Sequence, residues 1–218
     1  MEECNLQFPY RARYYRSQPI GPGIRKVWFV LHGYGQLASY FVRKFSALEN
    51  KGICIIAPEG LSRFYLQDVN TRKQSGKDRV GATWMTKENR QADIDNYVAY
   101  LTKIYELEIP PNKDIAITVL GFSQGAATAS RWVMDGRIAF DRLILWSGVF
   151  PPDLRFSPDS NSLRGKETVF VYGDSDPFVT SDHLAEMEAL SAKLQINPSR
   201  ITFHGGHDID TETLMSLI

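Results

Sequence analysis

One nine-residue stretch restricts the chain more than any other: Val119-Leu120-Gly121-Phe122-Ser123-Gln124-Gly125-Ala126-Ala127. The apolar run from Ile115 to Leu120 leads into Gly-x-Ser-x-Gly, and a small-residue helical segment leaves it. A serine that joins a buried strand to a helix must sit on a very sharp turn, with its backbone strained. Glycines two places before and two places after are needed, because Cβ atoms there would collide with neighbouring backbone. The turn lifts the Ser123 hydroxyl above the end of a sheet and beside a helix N-terminus, where it can meet a substrate. Five such letters occur by chance in many chains. A strand before and a helix after favour a nucleophile over an ordinary turn serine.

The rest of the chain alternates strand and helix, which predicts a mostly parallel central sheet with helices on both faces. Phe8 to Tyr15 reads as an antiparallel edge strand, since it alternates with period two and contains a proline. Val27-Trp28-Phe29-Val30-Leu31 is an interior strand ending at His32-Gly33-Tyr34-Gly35, with a helix over 39–50 after it. Ile53 to Ala57 is the next strand. Leu61 to Thr86 shows no clean period and is the main irregular connection, of the kind that is functional or mobile in compact domains. A helix follows over 87–107, with Ile94, Tyr97, Val98, Leu101, Ile104 and Tyr105 on one face. Later come a helix over 124–134, strands over 143–146 and 169–172, a helix over 184–194, a strand over 200–203 and a short helix over 211–217. No Pro/Gly/Ser-rich linker divides the 218 residues, so one domain over 1–218 is expected. That core consumes nearly the whole chain and leaves nothing for a separate cap domain.

Composition narrows the partners. Lys+Arg and Asp+Glu are both 25, so no global positive field exists to gather nucleic acid or anionic lipid. No apolar run approaches the roughly 20 residues that span a bilayer, and Met1-Glu2-Glu3-Cys4-Asn5 lacks the basic and apolar regions of a signal peptide. Of the two cysteines, Cys54 lies in an apolar strand and Cys4 near a terminus. A disulfide is the weaker reading, and a cytoplasmic home fits best. No Walker loop, dinucleotide fingerprint, His-Glu-x-x-His or Cys-x-x-Cys occurs, so no cofactor and no metal are expected.

A serine hydroxyl needs a base, and the base needs an orienting carboxylate. Only four histidines are present. His32 shapes the turn in His-Gly-x-Gly, and His183 lies in the first turn of an amphipathic helix. His207, after Gly205-Gly206 in the loop beyond the last strand, is the preferred base, with His204 second. Tyr172-Gly173-Asp174-Ser175-Asp176-Pro177 offers two carboxylates in a loop after a late strand. Asp176 is preferred, since Pro177 holds it extended; Asp174 reads as a local Asx-turn. The order Ser, Asp, His follows. An oxyanion hole needs two backbone N–H groups, for which Gln124 beside the serine and Tyr34 in the glycine-rich loop are chosen. Phe64, Tyr65, Trp84 and Met85 could line an acyl pocket or anchor the long connection to the core. The basic Arg72-Lys73 with Lys77 and Arg79 reads as a solvated loop face.

Together, His32-Gly33-Tyr34-Gly35, Gly121-Phe122-Ser123-Gln124-Gly125, Gly173-x-x-Asp176 and His204-Gly205-Gly206-His207 resemble the carboxylesterase/phospholipase family of α/β-hydrolases, which includes the acyl-protein thioesterases. The resemblance runs from about Lys26 to the C-terminus. It implies Ser123, Asp176 and His207 as a triad with Tyr34 and Gln124 as oxyanion donors. It also implies cleavage of a small-molecule ester or thioester through an acyl-enzyme. Gln36 stands where thioesterase-like members usually carry aspartate, Ala126 replaces a further glycine, and the segment from Arg63 to Arg90 is unlike theirs. Two other readings compete. One is metal-assisted hydrolysis at His204, His207, Asp208 and Asp210; the other is a binding module that keeps the fold without the chemistry.

Overall fold

The computed structural model describes residues 1–49, 51–75, 78–111, 114–156 and 161–218. The chain enters through a short strand β1 (Tyr14–Arg16) and then β2 (Lys26–Leu31). Next come α1 (Ala38–Phe41), a 3₁₀ turn (Val42–Phe45) and α2 (Ser46–Glu49), then β3 (Ile53–Pro58). An excursion follows: β4 (Ser62–Tyr65), α3 (Val69–Ser75) and β5 (Val80–Thr83). The remainder is α4 (Arg90–Glu108), β6 (Ala116–Phe122), α5 (Gln124–Met134), β7 (Arg142–Trp146), β8 (Glu167–Gly173), α6 (Ser181–Leu194), β9 (Ser199–Phe203) and α7 (Thr211–Ser216). Seven strands form one sheet in the order β1-β3-β2-β6-β7-β8-β9, parallel except for β1. With helices on both sides, this is the α/β-hydrolase arrangement the sequence predicts.

Successive residues of the interior strands feed opposite faces, which is why the strands read as unbroken apolar runs. Val27, Phe29 and Leu31 pack with Leu101, Trp132 and Met187 from α4, α5 and α6. Trp28 and Val30 pack with Phe41, Phe45, Leu48 and Leu214 on the other side. The apolar stripe of α4 holds, since Tyr97, Val98, Leu101 and Ile104 are buried.

Four local expectations need correction. Phe8–Arg13 is not strand. Tyr14 already pairs with Pro58, the last residue of β3, so nothing further out offers a ladder to continue. The helix expected over 39–50 is three short helical pieces, and Asn50 lies outside the described residues. The helix α4 begins at Arg90 because Asn89 is left-handed (φ 45°), a conformation no helix can run through. The Leu61–Thr86 connection is not irregular. Its strands pair antiparallel, Ser62 with Thr83 through to Tyr65 with Val80, across a long intervening segment. Strands of four residues are too short to print a period on the sequence.

The excursion is tied to the main sheet's edge. Glu59, buried just beyond β3, accepts from Arg13 (2.7 Å), Arg63 (3.1 Å) and the Ala38 N–H (3.2 Å). One carboxylate thereby joins the N-terminal segment, β4 and the start of α1. Both cysteines carry free thiols, with Cys54 buried and Cys4 exposed. Among the described residues no helix is long and apolar enough to cross a membrane.

Candidate active site

Ser123 stands between β6 and α5 with φ 54° and ψ −119°, a backbone that a non-glycine residue adopts only under constraint. The constraint is visible on both sides of it. A Cβ at Gly121 would lie 2.2 Å from the Gly125 carbonyl oxygen, and one at Gly125 would lie 2.2 Å from that of Leu31. Strand, turn and helix are thus in backbone contact, as Gly-x-Ser-x-Gly demands. The Ser123 N–H donates to the Trp146 carbonyl (2.9 Å), fastening the turn to β7.

The loops after β8 and β9 bring two Asp–His pairs together. Asp176 has a fully buried side chain, and its two oxygens lie 2.8 and 3.0 Å from Nδ1 of His207. One of them also accepts the Phe178 N–H (2.9 Å). The His207 ring packs between Phe122 (4.8 Å between centroids) and Phe178 (4.7 Å). Phe122 is the residue before Ser123, so this imidazole lies against the serine turn. With Nδ1–H directed at the carboxylate, Nε2 keeps its lone pair and can take a proton.

The second pair is Asp174 with His204 (2.9 Å), and it lies in solvent, the His204 side chain being 96% exposed. Asp174 does not make the local Asx-turn expected of it. It crosses to the β9 loop, where it also accepts the Gly205 N–H (3.1 Å). The reach is longer than an Asx-turn because β8 and β9 are adjacent and their loops touch. Hydrogen bonding to His204 holds the Asp174 carboxyl below its usual range, and the same bond raises the imidazole.

The glycine-rich loop after β2 lies over the serine turn, since a Cβ at Gly33 would be 3.2 Å from Ser123 Cβ. Its neighbouring amides are occupied. Gly33 N–H donates to Gln36 Oε1 (2.9 Å), and Gly35 N–H to the Ala82 carbonyl (2.9 Å). Ala82 N–H returns a bond to Gln36 (3.1 Å), so β5 braces the loop. Tyr34 N–H, between these amides, has no protein acceptor among the described residues. Sequence reasoning missed what holds this arrangement. The Gln124 side chain donates to Met85 O and Thr83 Oγ1 (both 3.0 Å) and accepts Trp84 N–H (3.2 Å). It staples the end of the excursion to the start of α5. No local pattern marks a glutamine for that task; only the motif Gly-Phe-Ser-Gln-Gly carries it.

The four aromatic and sulfur candidates separate. Phe64 packs on Tyr34 (5.1 Å), at the glycine-rich loop. Tyr65 lies beneath the Arg72 guanidinium (3.9 Å). Trp84 is only 2% exposed, stacked on His32 (4.9 Å), with Nε1–H donating to the His32 carbonyl (2.8 Å). Met85 is partly buried against the α4–α5 core. Of the basic cluster, Lys77 lies outside the described residues. The would-be metal ligands are each engaged elsewhere. His204 and His207 face Asp174 and Asp176, Asp208 pairs with Lys44 (2.6 Å), and Asp210 caps α7 through Thr213 N–H (2.7 Å). Among the described residues no three His, Cys, Asp or Glu side chains form a metal-binding group.

His32 is structural, as its place in the turn suggests. Its Nε2 accepts the Gly60 N–H (3.0 Å), so the proton sits on Nδ1, facing the Gly33 carbonyl (2.8 Å). Burial pushes its pKa down to about 4. Between the ordinary value of about 6.5 and about 4, the unfolded chain binds a proton that the folded chain refuses. Stability is therefore lost as pH falls through that window, by up to about 3 kcal/mol. Urea unfolding at pH 7 and pH 4.5 should show this loss in the native chain, and a smaller one in His32→Gln. Equal losses in both would refute the assignment.

Several solved structures share this fold. The acyl-protein thioesterase 2 of Zea mays superposes with a TM-score of 0.69 at 19% identity, over 95% of this chain and 96% of that one. The Bacillus cereus carboxylesterase gives 0.65 at 16%, over 94% and 91%. Esterase PE8 gives 0.65 at 17%, over 95% and 96%. No curated protein matches the chain in sequence. The serine hydrolase (FSH1) family pattern matches residues 25–215, nearly the whole chain. With the strained serine turn at its centre, the chain belongs to the FSH1 serine hydrolase family.

Proposed function

We propose that the chain, acting as one domain, hydrolyses small carboxylic esters or thioesters through a covalent acyl-enzyme on Ser123. The observation that carries this reading is the pairing of the buried Asp176 carboxylate with His207, whose ring packs through Phe122 against the serine turn. In the first step Ser123 Oγ bonds to the acyl carbon while its proton passes to His207 Nε2. Charge on the former carbonyl oxygen is met by the N–H groups of Tyr34 and Gln124. Collapse breaks the bond to the alcohol or thiol, which leaves with the proton from His207. Water, deprotonated by the same nitrogen, then cleaves the acyl-enzyme and restores Ser123. Asp176 keeps the ring in the productive tautomer and stabilises the imidazolium. None of these steps calls on a cofactor.

A non-catalytic module would be expected to lose one of the three residues, so the presence of Ser123, Asp176 and His207 in the sequence supports the catalytic reading. The thioesterase among the structural neighbours supports keeping a thiol leaving group beside an alcohol. Free thiols and balanced charge support a cytoplasmic setting. A fluorophosphonate probe tests the reading directly. The native chain should gain the mass of one adduct, and Ser123→Ala should gain none. Labelling that survives in this variant removes Ser123 from the role of nucleophile.

A further inference from the structure

Phe178 touches both members of the Asp176–His207 pair. Its place follows from the sequence Asp176-Pro177-Phe178-Val179, a turn closed by the Val179 N–H on the Asp176 carbonyl (3.2 Å). Pro177 has no N–H, so the first amide beyond Asp176 that can reach back to its carboxylate is that of Phe178, and it does so at 2.9 Å. Val179 packs against the core and anchors the turn. Phe178 itself stays outside the core, 64% exposed. Its ring still meets that of His207 edge to face, with 4.7 Å between centroids and the planes 62° apart.

We propose that Phe178 is a positioning residue for His207, holding the imidazole in the orientation that keeps Nε2 at the serine turn; the proposal rests on the acyl-enzyme reading above. The carboxylate cannot do this alone. A hydrogen bond to Nδ1 constrains one atom of a ring that turns about two side-chain torsions, the second with a broad minimum. The backbone before the base adds little packing, since a Cβ at Gly206 would meet nothing within 4 Å. Two aromatic rings supply the missing restraint, Phe122 at 4.8 Å and Phe178 at 4.7 Å. Phe122 is held rigidly, buried at the end of β6. Phe178 is held through the amide that also fixes the carboxylate, so one residue ties the orientation of the acid to that of the base. The His207 side chain is 20% exposed and that of Asp176 not at all. Without the Phe178 ring, water would reach more of the imidazole and compete for its Nδ1–H.

Phe178→Ala keeps the backbone amide on Asp176 and removes the ring alone. In the full chain, with p-nitrophenyl acetate as the probe, it should lower kcat about two- to twelvefold at unchanged KM, the range that one aromatic pair is worth. Phe178→Tyr keeps the ring and should recover most of the loss. The thermal midpoint of Phe178→Ala should stay within about 2 °C of the native value, because a side chain this exposed adds little to the fold. Proton NMR gives a direct readout of the pair. The His207 Nδ1–H resonance, far downfield while shared with the buried carboxylate, should broaden by exchange with water in Phe178→Ala and sharpen again in Phe178→Tyr. An unchanged kcat in Phe178→Ala overturns the proposal. So does a loss confined to KM, which would make Phe178 a substrate contact. A loss that Phe178→Tyr fails to recover, or that comes with a large fall in the midpoint, overturns it as well. Failure of the native chain to take a fluorophosphonate adduct would instead overturn the acyl-enzyme reading, so the two failures are distinct.

Discussion

Asp176→Asn should lower kcat by about 10⁴-fold with little change in KM, a loss of about 5.5 kcal/mol of transition-state stabilisation. The reason lies in which atoms Asp176 meets. One carboxylate oxygen accepts the Phe178 N–H (2.9 Å), and an asparagine would keep its carbonyl oxygen there. Its amide nitrogen would then face His207 Nδ1, and an amide nitrogen can only donate. The carbonyl oxygen stays 3.0 Å from Nδ1 but is shared with the Phe178 N–H. The amide at the nearer position therefore favours the tautomer with a lone pair at Nδ1 and the proton on Nε2, which can no longer accept one from Ser123. The new amide also offers no charge to stabilise the imidazolium. The aspartate two residues earlier makes the contrast. In Asp174→Asn, the carbonyl oxygen can still accept the Gly205 N–H, and what is lost is an exposed ion pair with His204. Exposed pairs contribute little, so a loss below about tenfold is expected. Both variants would be assayed on one activated ester, with circular dichroism to confirm folding. A dead Asp174→Asn beside a near-normal Asp176→Asn would transfer the orienting role to the solvent-exposed pair.

Much of this architecture is legible in the residues because burial writes it there. Val27–Leu31 and Ile115–Leu120 are apolar on both faces, and only an interior strand of a covered sheet needs that. The serine turn is equally legible, since its glycines answer a steric demand that no other residue meets. What the sequence hides is structure made by long-range pairing. β4 and β5 form a ladder whose partners are 15 to 21 residues apart, from Tyr65 with Val80 to Ser62 with Thr83; β4 is largely exposed and β5 largely buried, so neither alternates along its four residues. The roles that depend on this ladder are hidden with it. Trp84 reads as a pocket residue or as an anchor to the core, and the stacking on His32 that β5 brings about is not visible in the residues alone. Asp174 reads as a turn-former until β9 comes alongside β8. Gln124 reads as the residue after the nucleophile, and its side chain acquires a task only once Thr83 and Met85 have been brought to it.

Gly125→Ala should lower stability sharply and abolish ester hydrolysis with it. The added Cβ would lie 2.2 Å from the Leu31 carbonyl oxygen and 2.7 Å from that of His32. Neither oxygen can retreat freely. Leu31 is the last residue of β2, in register with Gly121 on β6, so moving it shears the central ladder. The alternative is for α5 to withdraw, which drags Gln124 off Thr83 and Met85 and lifts Ser123 from the Phe122–His207 contact. Overpacking against side chains costs about 1–3 kcal/mol, and a clash between backbone segments lies at or above the top of that range. At about 2–4 °C per kcal/mol for a domain of this size, the thermal midpoint should fall by about 6–12 °C or more. Gly23→Ala is the control, because a Cβ there meets nothing within 4 Å and the backbone is not left-handed. Its midpoint should stay level or rise slightly, as the unfolded chain loses freedom. Scanning calorimetry on both variants, with turnover of one activated ester, measures the contrast. If Gly125→Ala melts with Gly23→Ala and still turns over substrate, strand, turn and helix are not packed backbone to backbone, and the strained serine has lost its physical cause.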